Sequence, residues 1–203
     1  MKKLKLTILS VCTALLFTAS AGLSDSLEIG DKAPLVNQRV EDTSGRTLTL
    51  SEVAGRNGLM VIFSCNTCPW VTKWENRYNE LSALAGSNGI GVIALNPNER
   101  IRNRGESMVD MKKRAQKQSY NFPYALDEDH KLADAFGATR TPEVFLFDSN
   151  LRLVYHGAID DNADNASQVE SAYAKDAINA LIAGSEIDTQ ETRSLGCTIK
   201  RSE

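Results

Sequence analysis

Leu59-Met60-Val61-Ile62-Phe63-Ser64-Cys65-Asn66-Thr67-Cys68-Pro69-Trp70 is the stretch on which the reading of this chain turns. Leu59–Phe63 is an unbroken apolar run, which fits a central strand covered on both faces. The run stops at Ser64. Beyond it, Trp70, Trp74, Tyr78, Leu81, Leu84 and Ala85 recur at helical spacing until Gly86 to Gly89 ends the pattern. Cys65 and Cys68 therefore stand where a buried strand turns into a helix. Unpartnered backbone N–H groups and the positive end of a helix dipole favour a thiolate at such a junction. A lowered pKa there makes a nucleophile near neutral pH. With two residues between them, Cys68 comes one turn later, close enough to attack a mixed disulfide formed at Cys65. Cys65 is the expected attacking thiol and Cys68 the resolving one. Pro69 suits an early helical position, where a missing N–H costs no bond.

Two other uses of Cys-x-x-Cys fit the chain less well. A zinc site needs about four ligands, and the chain offers one such pair and two histidines, His130 and His156. A structural staple gains little from closing so short a loop. The second signal lies further along, at Thr141-Pro142, directly before the apolar run Val144–Phe147. A proline opening a strand is compatible with a cis or a trans bond.

Around these signals the elements alternate. Leu35–Val40 and Thr47–Leu50 read as the arms of an entry hairpin about Asp42–Gly45, with one helical turn over Ser51–Ala54. Ile90–Leu95 reads as a second buried strand, Ser107–Ser119 as a helix and Phe122–Leu126 as a short strand. Asp129–Phe136 reads as a helix stopped by Gly137. Val144–Phe147 and Leu151–His156 form a hairpin, and Ser167–Ala183 is a last helix closed by Gly184. This order predicts an α/β fold: a mixed sheet with helices on both faces. The tail, Ser185–Glu203, is polar, carries Cys197, and is expected to be without regular structure.

The chain opens with a basic segment, Met1–Lys5, an apolar segment, Leu6–Phe17, and Ala19-Ser20-Ala21. This is the pattern of a secretory signal peptide cleaved after Ala21, and it places the mature protein in a periplasm or outside the cell. The apolar run is too short for a membrane span, so no stable membrane insertion is expected after cleavage. Val11 before Cys12 argues against a lipid anchor. What remains, residues 22–184 with the tail 185–203, suits one domain with a full core. Composition is ordinary, with 42% hydrophobic and 24% charged residues and a net charge of −3, so nothing points to nucleic acid. Lys112-Lys113-Arg114 reads as a solvated helix face. Removing the leader leaves Cys65, Cys68 and Cys197. One tight pair and one distant thiol do not make a framework of structural staples.

Together these pieces resemble the thioredoxin superfamily on its redoxin/peroxiredoxin-like (AhpC/TSA-like) branch, over about Leu27 to Ala183. The motifs LMVIFSCNTCPW, GIGVIALNPN, RTPEVFLFD and LVYHGAIDD carry the resemblance, and the tail GCTIKR is similar to that of a subgroup with its own Cys-x-x-Cys. The resemblance implies a thioredoxin-like fold with an N-terminal hairpin, no cofactor, and a redox pair at Cys65 and Cys68. It implies that Pro142 is a cis-proline facing the pair and holding a substrate backbone, with Thr141 beside the thiols. The implied activity is thiol–disulfide oxidoreduction with a protein disulfide or dithiol partner. The chain departs from thioredoxins in having Phe63-Ser64 before the first cysteine and Asn66-Thr67 between the two, which leaves the direction of electron flow open. The alternative activity is that of a peroxiredoxin-like thiol peroxidase. Its Thr-x-x-Cys pattern puts Cys65 in the threonine place and makes Cys68 peroxidatic, with Cys65 or Cys197 resolving and Arg140 a candidate cation for the peroxide.

Other side chains are weaker candidates. Glu143 is the first choice of proton acceptor for Cys68, ahead of Glu99, Asp160 and Asp161. His156 reads as a hydrogen-bonded structural histidine, and Trp70 and Trp74 as packing in the core and at the rim of the site.

Overall fold

A computed structural model describes residues 26–202, so the expected leader over residues 1–21 lies outside the described residues. The central sheet has five strands in the order β5-β4-β3-β7-β8, with β3 (Gly58–Phe63) in the middle. β4 (Ile90–Asn96) runs parallel to β3, and β5 (Tyr124–Leu126) parallel to β4. β7 (Glu143–Phe147) runs antiparallel to β3, and β8 (Leu153–Gly157) antiparallel to β7. This is the mixed sheet the element order predicts.

Alternation along β3 divides the core into two layers. Met60 and Ile62 face α2 (Pro69–Trp74), α3 (Tyr78–Ser87), α4 (Met108–Gln118) and α6 (Tyr173–Ala183), against Val71, Trp74, Tyr78, Met111 and Ile178. Leu59, Val61 and Phe63 face α1 (Leu50–Val53) and α5 (Lys131–Phe136). There Phe63, Phe136 and Phe145 meet edge to face, with ring centroids 5.2–5.6 Å apart. Burial of each ring contributes roughly 2–3 kcal/mol. A helix layer on each side leaves one end of β3 open to the loop that carries the cysteines. Among the described residues, no helix is long and apolar enough to cross a membrane.

Several elements are shorter than expected, and in most of them a polar side chain is responsible. The entry hairpin keeps only β1 (Val40–Glu41) and β2 (Thr47–Leu48). Thr49 leaves the strand because it caps α1: its hydroxyl accepts from Glu52 N while Glu52 accepts from Thr49 N. The helix over 70–85 divides into α2, a 3₁₀ turn at Glu75–Arg77, and α3. The last helix starts at Tyr173 rather than Ser167, since the Asp161 carboxylate holds the N–H groups of Glu170 and Ser171 in a loop. Asp127 accepts from Leu132 N and Ala133 N and fixes the start of α5.

The tail departs most from expectation. It is ordered along its described length. His156 N donates to Gln190 O and Thr192 N to His156 O, so the tail first runs along β8. Then β9 (Cys197–Thr198) pairs antiparallel with β6 (Arg140–Thr141), and Ile199 is buried in the layer with α5.

Candidate active site

β3 ends at Phe63, and the loop Ser64–Thr67 carries the chain to α2. Cys68 is the N-cap residue of α2, in extended conformation, and Pro69 is its first helical residue. The strand-to-helix turn thus stands where the apolar run and the proline place it. Facing it is the Thr141–Pro142 peptide, which is cis, as the resemblance implies.

Thr141 gathers all three cysteines of the described chain. Its hydroxyl lies 3.1 Å from Cys65 Sγ. Its carbonyl oxygen lies 3.2 Å from Cys68 Sγ. In the β6–β9 ladder it stands opposite Cys197. Cys68 and Cys197 form a disulfide with their Cα atoms 6.0 Å apart, and Cys65 is free. The expected pairing within Cys65–Cys68 is therefore not the one present.

The expected electrostatics are also reversed. Cys65 is 1% exposed, and its thiol is pushed from an ordinary 9.0 up to about 12, first by burial and then by the charge of Glu106. Burial and the Glu106 charge outweigh the Thr141 hydroxyl and the backbone N–H groups of Cys68 and Thr67, which draw the thiol down. The Glu106 carboxylate accepts from Asn66 N at 2.8 Å, Thr67 N at 3.0 Å and the Thr67 hydroxyl at 2.6 Å. Asn96 Nδ2 donates to it at 2.8 Å. Asn66 is fixed further by its own amide, which donates to Gly105 O and accepts from the Tyr124 hydroxyl. Burial lifts the Tyr124 phenol well above its ordinary range, helped by Cys65 and Glu106, so it stays a neutral donor.

Glu106, Asn96 and Tyr124 escape a reading of the sequence. Glu106 immediately precedes the capping box of Ser107 and Asp110, where a carboxylate reads as a solvated acid ahead of a helix. One signal was available: Asn96 is a polar residue at the end of an otherwise apolar strand, which a buried strand tolerates only when a partner meets it.

Glu143, the first choice of proton acceptor for Cys68, is buried and has both oxygens bonded to other groups. One of its oxygens accepts from Thr139 N and Arg140 N, and the other meets His156 Nε2 at 2.8 Å. It shapes the backbone ahead of Pro142. His156 stacks on Phe145 at 4.3 Å and has the structural role expected of it. Arg140 donates to the Thr198 hydroxyl rather than pointing at a sulfur. Glu99 pairs with Arg102, and Asp160 pairs with Arg77 and accepts from Trp74 Nε1. Asp161 holds the loop before α6. Trp70 stacks on Trp74 at 5.9 Å, core against rim.

The chain is similar to known proteins. A hypothetical protein from Sinorhizobium meliloti 1021, of known crystal structure, is 31% identical, with a TM-score of 0.79 over 88% of this chain and 97% of its own. An uncharacterized conserved protein from Geobacillus kaustophilus is 29% identical, with a TM-score of 0.80 over 86% of this chain and 93% of its own. The thiol-disulfide oxidoreductase ResA of Bacillus subtilis (strain 168) is 26% identical over 136 residues, 64% of this chain and 67% of that protein. Residues 28–196 match the Redoxin family model, and the chain, with its thioredoxin-like fold, belongs to the redoxin family of the thioredoxin superfamily.

Proposed function

We propose that the chain is an exported thiol–disulfide oxidoreductase that exchanges disulfides with a protein partner through Cys68, Cys65 and Cys197. The observation that carries this is the convergence of the three cysteines on Thr141, one on its hydroxyl, one at its carbonyl and one in its strand register. Exchange requires a thiolate in line with a disulfide, and a third sulfur near the pair supplies the resolving step. The similarity to a thiol-disulfide oxidoreductase supports the same reading. Export rests on the amino-terminal pattern over residues 1–21.

In the reductive direction, the Cys68 thiolate attacks one sulfur of the partner's disulfide. A Cys68–partner bond forms, and the partner's other sulfur leaves as a thiolate and takes a proton. Cys65 then attacks Cys68 Sγ, its proton passing to the departing partner sulfur. The partner has gained two electrons, and Cys65–Cys68 is oxidised. Cys197 competes for Cys68 and yields the disulfide seen here. Thr141 and Pro142 hold the partner's backbone. The roles differ from those expected: the sulfur bonded to the paired strand is Cys68, while Cys65 is free and buried.

A second reading, thiol peroxidase, is favoured by one feature. Cys68–Cys197 is the product a peroxidatic Cys68 and a resolving Cys197 would leave. Against it, the Arg140 guanidinium, the candidate cation for the peroxide, donates to the Thr198 hydroxyl.

Dithiothreitol-driven reduction of insulin tests the exchange reading. The mature chain is expected to accelerate it. Cys68→Ser is expected to fall to background, and the double variant Cys65→Ser with Cys197→Ser to stall after one mixed disulfide on Cys68. Full turnover by Cys68→Ser would overturn the assignment.

A further inference from the structure

The tail occupies the face of the site a partner would use, and its residues show what that face accepts. Residues 196–199 lie extended along β6, with Thr198 opposite Arg140 and Cys197 opposite Thr141. Ile199 N donates to Thr139 O, extending the ladder. Main-chain bonds of this kind take any sequence; selectivity comes from the side chains on either side of the paired residue.

Three positions are constrained. At 197 the side chain must be a cysteine to meet Cys68. At 196 there is no room for a side chain: a Cβ would sit 2.5 Å from the carbonyl oxygen of Thr141 and 2.8 Å from its carbon. Both atoms belong to the backbone beside the cis-proline and cannot swing aside. At 199 the isoleucine is 3% exposed and packs into the layer with Leu132, Phe136 and Ala138. Position 198 is open: Thr198 is exposed and only its hydroxyl meets Arg140.

From this we infer that the site selects an extended protein segment of the form Gly-Cys-x-aliphatic, and that residues 196–199 are a built-in copy of it that such a segment displaces. The inference rests on the exchange reading above and adds the substrate class. Chemically, the thiolate of an incoming Gly-Cys-x-aliphatic segment attacks Cys68 Sγ in the Cys68–Cys197 disulfide. A Cys68–segment disulfide forms, Cys197 leaves as a thiolate, and the proton released by the incoming thiol goes to Cys197. Disulfide is exchanged for disulfide with no net oxidation.

The test uses the oxidised mature chain and three reduced peptides: acetyl-Gly-Cys-Thr-Ile-amide, the same peptide with Val for Gly, and the same with Ser for Ile. Mixed disulfides on Cys68 are followed by mass spectrometry, and in parallel the fully reduced chain is mixed with the small disulfide DTNB. The Gly-Cys-Thr-Ile peptide is expected to form its mixed disulfide about tenfold or more faster than either analogue, since a backbone clash and a lost aliphatic contact each discriminate on that scale. Equal rates for the three peptides, with DTNB reacting normally, would overturn the inference and leave the exchange reading standing. No reaction with DTNB or with any peptide would overturn both. A second variant checks the steric element within the chain. Gly196→Ala is expected to let dithiothreitol reduce Cys68–Cys197 at about a tenth of the concentration the unsubstituted chain requires, and an unchanged requirement would contradict it.

Discussion

Cys197→Ser is expected to lower the unfolding free energy of the oxidised protein by about 5 kcal/mol, the chain-entropy value for a cross-link over so long a loop. The cross-link joins residues 129 positions apart, so its removal frees most of the chain in the unfolded state. For a domain of this size the melting temperature falls by roughly 10–20 °C. Urea unfolding without reductant, compared between the two proteins, measures it. The effect also reaches the chemistry. Whatever free energy the fold gains from holding Cys68 and Cys197 together, it withholds from any thiol that would open them. An unchanged urea midpoint would mean that Cys68 and Cys197 are not joined in the oxidised protein.

The second large effect is expected at Glu106. In the oxidised protein, displacing the Cys65 pKa from 9.0 to about 12 cuts its thiolate fraction, and so its alkylation by iodoacetamide near pH 8, about a thousandfold below an ordinary cysteine. Glu106→Gln removes the negative charge and is expected to recover roughly tenfold of that rate. Glu106→Ala leaves Asn66 N, Thr67 N and Asn96 Nδ2 without their acceptor and is expected to cost about 2–4 kcal/mol of stability. The pH dependence has a definite sign. The folded pKa of Cys65 lies above its unfolded value, so the stability it contributes is whole below pH 9.0 and is lost as pH rises toward about 12, by up to ~1.4 kcal/mol per pH unit. In Glu106→Gln the loss ends at a lower pH. Alkylation of wild-type Cys65 at the rate of a free thiol would show that neither burial nor Glu106 controls it.

What could be read in the sequence follows from how local each signal is. The apolar run of β3, the cysteine spacing and Pro69 specify the strand-to-helix junction within twelve residues, and the structure has it there. The two-residue strand β9 has no such periodicity. It is held by a ladder to β6, by a covalent bond, and by the single buried side chain of Ile199, and each depends on residues far away in the chain. For the same reason the tail reads as polar and loose when taken alone. Glu106 was hidden differently: two of its four donors are backbone N–H groups, which every residue but proline carries, so nothing in the composition marks them. The shortened hairpin was a missed local signal, because Thr49-x-x-Glu52 is a capping box that outcompetes the strand.

In the proposed function these cysteines exchange disulfides rather than consume peroxide. Fully reduced mature protein, mixed in stopped flow with one equivalent of either a protein disulfide or hydrogen peroxide, then quenched and mapped by mass spectrometry, tests it most directly. Rapid oxidation by the disulfide is expected, with Cys65–Cys68 and Cys68–Cys197 both formed, and oxidation by peroxide no faster than that of a free cysteine. Fast oxidation by peroxide through a sulfenic acid on Cys68, with no exchange against the protein disulfide, would contradict it.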